Sequence, residues 1–161
     1  MKVIFTWKEL ILKSDNKIIK RFPASCNVRN EMNGNRKLHK KSDVVKTFPL
    51  SGSQLPYMPR QFPSGIHEIL SVEWTDNPEY APVKIKTDAT RKVFNWEIDN
   101  EGGYDYPLDK IQDDTCYWLH YTNSRTTLGC IRIDNRNDAI IFGKMIEVLL
   151  LENKKIYLDV L

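Results

Sequence analysis

Apolar residues in this chain alternate with polar ones more often than they recur at helical spacing. Lys2 to Trp7 and Glu9 to Lys13 alternate or run apolar. Ser14-Asp15-Asn16 is turn chemistry, and Ile18, Ile19 and Phe22 resume the pattern. This predicts a β-hairpin, because alternation at period two lets a strand bury one face. Pro23 to Val28 extends its second arm. Ile66 to Trp74, Val83 to Lys86 and Val93 to Ile98 read as further strands, separated by a loop at Thr75 to Pro82 that holds Asn77-Pro78. Thr115 to Leu119 reads as a buried strand ending at His120, Cys130 to Ile133 as the next, and Lys155 to Leu161 as the last.

One segment breaks the alternation. From Arg136 to Leu151 the apolar residues Ile140, Ile141, Met145, Ile146, Val148 and Leu149 form a helical stripe. Asp134 or Asn135 caps it, since a short polar side chain there accepts from the first unpaired amides. Asn30 to Lys46 is polar and reads as a long loop or one short helix, while Leu50 to Arg60 and Asn100 to Asp114 read as loops. The chain is therefore mainly β with one C-terminal helix, and its 161 residues fit a single domain, 1–161.

Charge is uneven. Arg29 to Lys46 is basic and Glu97 to Asp114 acidic. Two solvated loops explain this, as does a basic rim for an anionic polymer facing an acidic flap over a site. Nucleic acid is not expected, because the basic stretch has no interleaved aromatics and no binding motif. No apolar run is long enough to span a membrane, and no signal peptide is visible. The spacings of Cys and His fit no metal site, and no cofactor is expected. Cys26 and Cys116 are read as strand residues or, in an oxidising compartment, as a pair. His67 is read as structural, and His39 as a loop residue without a role.

Chemistry is suggested at one place. His120 and Cys130 lie ten positions apart, and Gly129 precedes the cysteine. A thiol with a free pKa of about 8.5 needs a neighbouring base to become a thiolate at neutral pH. A hairpin-like return from one strand to the other would bring the two together. Gly129 permits either a close approach of the backbone to a substrate or a positive φ, and amides near Leu128, Gly129 and Cys130 are candidates to face an oxyanion. No acid lies between His120 and Cys130, so a backbone carbonyl near Tyr121 or an Asn or Ser side chain would orient the imidazole.

These residues resemble the L,D-transpeptidase catalytic domain, the YkuD-like family. Leu119-His120-Tyr121-Thr122-Asn123 is similar to its I-H-G-T-N segment, and Thr127-Leu128-Gly129-Cys130-Ile131-Arg132-Ile133 to its [S/T]-x-G-C-[I/L]-R-[M/L] segment. Phe62 to Ile69 resembles its T-P-x-G-x-[FY]-x-[IV] strand, and Asn137-Asp138-Ala139 the start of its helix. The chain departs from the pattern at Tyr121, where glycine is usual, at Leu128, where a second histidine is usual, and in a shorter connection at Ser124-Arg125-Thr126.

The resemblance implies a β-sandwich or open barrel with one main helix. It implies that Cys130 is the nucleophile and His120 the base in acyl transfer on peptidoglycan stem peptides, as L,D-transpeptidase or L,D-carboxypeptidase. Arg132, Tyr121, Asn123, Thr127 and Trp118 would support the site or meet substrate. Arg132 is read equally as holding the site loop, as meeting a substrate carboxylate, or as an ion pair with the acidic loop. The implied location is the periplasm or cell envelope. Two alternatives stand beside it. One is an effector of the same chemistry, with an immunity or regulatory protein as partner. The other is a non-catalytic member that binds wall or protein.

Overall fold

The computed structural model describes residues 1–26, 45–47, 62–95, 97–98, 104–105, 111–115, 117–123, 127 and 129–161. Its elements are β1 (Lys2–Phe5), β2 (Glu9–Ser14), β3 (Lys17–Ser25), β4 (Val45–Thr47), β5 (Gly65–Trp74), β6 (Val83–Thr87), β7 (Arg91–Asn95), β8 (Glu97–Ile98), β9 (Tyr104–Asp105), β10 (Ile111–Asp114), β11 (Trp118–His120), β12 (Ile131–Ile133), α1 (Arg136–Leu151) and β13 (Tyr157–Val160). The protein is mainly β with one helix among the described residues.

Eight strands close into a barrel in the order β1-β13-β5-β6-β11-β12-β3-β2. Closure, rather than the sandwich or open barrel expected, comes from a parallel pairing of β1 with β13, which joins the two ends of the chain. A closed barrel leaves no strand edge unpaired. Alternation decides which residues fill it: Phe5, Leu10, Leu12, Phe22, Ala24, Val83, Ile85, Leu119, Ile131, Ile133 and Leu158 are fully buried. β7 pairs with β4 and β10, and β8 with β9. Part of the acidic stretch expected to be a loop is thus strand at Tyr104–Asp105 and Ile111–Asp114, because pairing satisfies backbone groups whatever the side-chain charge. The basic stretch lies outside the described residues except for 45–46.

Helix α1 spans the predicted residues. Asn135 caps it, its side-chain oxygen accepting from the amides of Asn137 at 2.8 Å and Asp138 at 3.2 Å. Its buried residues are Ala139, Phe142, Gly143 and Ile146, a set at i, i+3, i+4 and i+7. The predicted stripe is corrected accordingly, since Ile141 and Val148 are exposed. The helix turns its small and aromatic residues to the barrel: Phe142 meets Phe22 edge-on at 5.1 Å. Gly143 leaves room for Val83 and Trp74, and a Cβ there would come within 2.9 Å of Val83 Cγ2.

Candidate active site

β11 and β12 are neighbours in the barrel, and they run parallel. The hairpin-like return expected between His120 and Cys130 is therefore corrected. A parallel pair needs a connection that travels back along the ladder, and residues 121–130 make that journey. The register still brings the two ends close. His120 lies beside Arg132, and Leu119 beside Ile131. Ile131 and Ile133 point into the barrel, so Arg132 points outward, as does His120 next to the inward Leu119. Cys130 immediately precedes β12, and the two-residue alternation, carried one residue beyond the strand, would put it on the same outer side as His120.

The outward row continues across five strands. Glu73 on β5, Lys84 on β6, His120 on β11, Arg132 on β12 and Ser25 on β3 stand in register side by side. His120 thus has a cation on each neighbouring strand. Both cations are anchored. Lys84 pairs with Glu73 at 3.2 Å, and Arg132 Nη1 donates to Asp134 at 2.6 Å. Lys86, one row along, also reaches Glu73, and the two lysines hold that carboxyl below its usual range.

His120 is on the outer face yet only 5% exposed. Its Nδ1 lies 2.9 Å from the carbonyl oxygen of Tyr121, the kind of group the sequence pointed to. A carbonyl only accepts, so Nδ1 carries the proton and Nε2 presents its lone pair. Burial pushes the imidazole below its ordinary value; the Tyr121 carbonyl opposes this, Arg132 and Lys84 add to it, and Glu79 works against them. At neutral pH the ring is therefore uncharged, and among the described residues no hydrogen bond engages the Nε2 lone pair.

The turn before the cysteine is pinned from several sides. Gly129 adopts φ +124°, a conformation that side chains rarely take. Cys26, buried at the end of β3, donates its thiol to the Gly129 carbonyl at 3.5 Å and accepts from the Phe62 amide at 3.4 Å. Thr127 is buried and donates its hydroxyl to the Cys130 carbonyl at 2.7 Å. The Gly129 amide donates to that same hydroxyl at 3.4 Å. This amide, expected to face an oxyanion, is therefore turned toward Thr127. Leu128, another of the expected donors, lies outside the described residues, as do Cys116, His39 and the connection at 124–126. Cys130 itself is 8% exposed.

Arg132 links both ends of the connection. Its Nε donates to the Thr122 carbonyl at 3.0 Å, its guanidinium faces the Tyr121 ring at 5.9 Å, and among the described residues its carboxylate partner is Asp134. Tyr121 donates its hydroxyl to Asn123. Trp118, two residues before His120 on the same face, lies under the Lys84 ammonium at 4.5 Å. His67 lies apart on β5, its Nε2 2.9 Å from the Pro63 carbonyl and its Nδ1 3.9 Å from Asp88.

Sequence reasoning missed three neighbours: Tyr80, Lys84 and Cys26. The alternation of Val83-Lys84-Ile85 marked Lys84 as outward, but nothing local tied it to His120. Tyr80 sat in a loop with no pattern at all. Among the described residues no group of His, Cys, Asp and Glu is placed to hold a metal ion, and no helix is long and apolar enough to cross a membrane. No family model and no curated protein matches this chain.

Proposed function

We propose that this protein is a cysteine-dependent acyltransferase of the L,D-transpeptidase type, acting on peptidoglycan stem peptides in the cell envelope. The observation that carries the reading is the state of His120. It is buried and neutral, its Nδ1–H is given to the Tyr121 carbonyl, and Nε2 remains as acceptor on the side of the sheet that Cys130 shares by alternation. A general base needs that tautomer and that protonation state. The resemblance of the segments around His120 and Cys130 supplies the substrate class.

In the proposed reaction the Cys130 thiol gives its proton to His120 Nε2. The thiolate attacks the peptide carbonyl, and the C–N bond breaks as imidazolium returns the proton to the departing amine. A thioester on Cys130 remains. An acceptor amine resolves it in transpeptidation, and water in carboxypeptidation. Thr127, Cys26 and Gly129 fix the backbone that presents the thiol. Arg132 clasps the segment that carries Tyr121 and Thr122.

Cys130→Ala is expected to lower turnover of tetrapeptide muropeptides on the order of 10³-fold or more while the circular dichroism spectrum is retained. Turnover at the wild-type rate would sink the reading. A second reading, a non-catalytic member that binds wall or protein, is favoured by the near-complete covering of Cys130. Iodoacetamide separates the two. Alkylation of Cys130 that is slowed by His120→Asn supports the catalytic reading, and alkylation that His120→Asn leaves unchanged supports the binding one.

A further inference from the structure

An imidazole that acts as base must keep one orientation, and a single hydrogen bond leaves it free to swing about that bond. At His120 the second constraint comes from Tyr80. Its ring meets the imidazole at 5.2 Å between centroids with the planes 82° apart. This near-perpendicular contact is a favoured aromatic arrangement and is direction-dependent, so it restrains the ring plane rather than only filling space.

Tyr80 is itself held. It packs edge-on against Trp118 at 5.3 Å, and the Lys84 ammonium lies 5.1 Å from the Tyr80 ring and 4.5 Å from Trp118. A cation over two aromatic faces is attracted to both. Lys84 is fixed in turn by Glu73 at 3.2 Å and is directly beside His120 in the β6–β11 register.

The turn that presents Tyr80 is stapled internally. The amides of Tyr80 and Ala81 both donate to the Asn77 carbonyl, at 3.0 and 2.7 Å. The Asn77 side chain accepts from Glu79, Thr75 Oγ1 accepts from Asn77, and the Thr75 amide closes the loop onto the Pro82 carbonyl. Such Asx and Ser/Thr bonds make a short loop stiff without any strand pairing.

We propose that Tyr80 is a positioning residue for His120, and that Lys84 is the brace that keeps Tyr80 against it. The pair restrains the imidazole plane in addition to the Tyr121 carbonyl and helps cover the ring. This rests on His120 being the base of the proposed reaction, and on nothing about which peptide is cut. Among the described residues the charged and titratable groups around the ring are Lys84 on β6, Arg132 on β12, Tyr121 after β11, and Glu79 and Tyr80 on the turn between β5 and β6.

The test uses the full chain with Tyr80→Ala, Tyr80→Phe and Lys84→Met. One readout is the titration of the His120 Cε1–H resonance, which needs no substrate. A second is kcat and KM on tetrapeptide muropeptides. Tyr80→Ala is expected to raise the His120 midpoint toward that of an ordinary histidine and to lower kcat tenfold to a hundredfold, on the order of what misplaced catalytic groups cost, with KM little changed. Tyr80→Phe keeps the ring and is expected to match wild type in both. Lys84→Met removes a cation and the brace together, and is expected to shift the midpoint in the same direction as Tyr80→Ala.

Two results overturn the proposal. One is an unchanged His120 titration and kcat in Tyr80→Ala. The other is a Tyr80→Phe variant as impaired as Tyr80→Ala, which would make the hydroxyl and not the ring the active part. Failure of the catalytic reading looks different: turnover would survive Cys130→Ala, while the His120 titration would still report whether Tyr80 restrains the ring.

Discussion

The two faces of β6, β11 and β12 share one backbone ladder and are built on opposite plans. On the inner face Ile85, Leu119 and Ile131 stand in register, all fully buried. One residue along, the outer face presents Lys84, His120 and Arg132, also in register. The inner row is buried by the rest of the barrel and needs only aliphatic bulk. The outer row is covered by local groups: the 75–82 turn, Tyr121, and ion pairs to Glu73 and Asp134. Polar groups with chemical potential thus stand on rigid strands while their cover is drawn from short loops. Stability and the proposed reactivity fall on alternate residues of the same three strands.

If that division holds, substitutions on the two faces will fail in different ways. The largest effect on stability is expected from Leu119→Ala, a loss of about 2–5 kcal/mol in denaturant unfolding, because the closed barrel cannot collapse around the void. Gly143→Ala comes next. Its methyl would sit 2.9 Å from Val83 Cγ2 on the inner side of β6, so overpacking of about 1–3 kcal/mol is expected by the same measurement.

On the outer face His120→Asn is expected to cost only about 1 kcal/mol. The asparagine amide can still donate toward the Tyr121 carbonyl, yet muropeptide turnover is expected to vanish. A loss of stability as large as that of Leu119→Ala would erase the distinction between the faces.

The smallest effect is a pH dependence of stability. The folded His120 is held below its unfolded value of about 6.5, so between the two values the unfolded chain binds more protons. Its contribution is fully present above about pH 6.5 and is lost as pH falls through the lower folded value. Denaturation midpoints from pH 8 to 5 in wild type and His120→Asn are expected to diverge only below about pH 6.5.

The parts legible in the sequence are those with local causes. Ser14-Asp15-Asn16 announced the β2–β3 hairpin, and Asp15 takes the left-handed φ of 51° that such turns require. The helix from Arg136 to Leu151 was delimited by its cap and its period. Gly129 was singled out for a positive φ and has one.

What escaped has no local cause. The β1–β13 pairing joins residues at opposite ends of the chain, and the parallel sense of β11 and β12 is set by their outer neighbours β6 and β3. Tyr80 reaches His120 through a turn whose sequence says only that it turns. The helical stripe misled because residue size was weighed above phase: Ala139 and Gly143 are buried while larger Ile141 and Val148 are not.

The parallel pairing has a consequence for how this chain can vary. β11 is gripped by β6 on one side and β12 by β3 on the other. Where His120 and Cys130 stand in space is therefore set by the barrel wall and not by the number of residues between them. Only the number of residues between the Tyr121–Thr122 clasp and the Thr127–Gly129 turn is free to change without disturbing either anchor. Separation along the sequence is for this reason a poor ruler for kinship among proteins built this way, and the strand ladder is a better one.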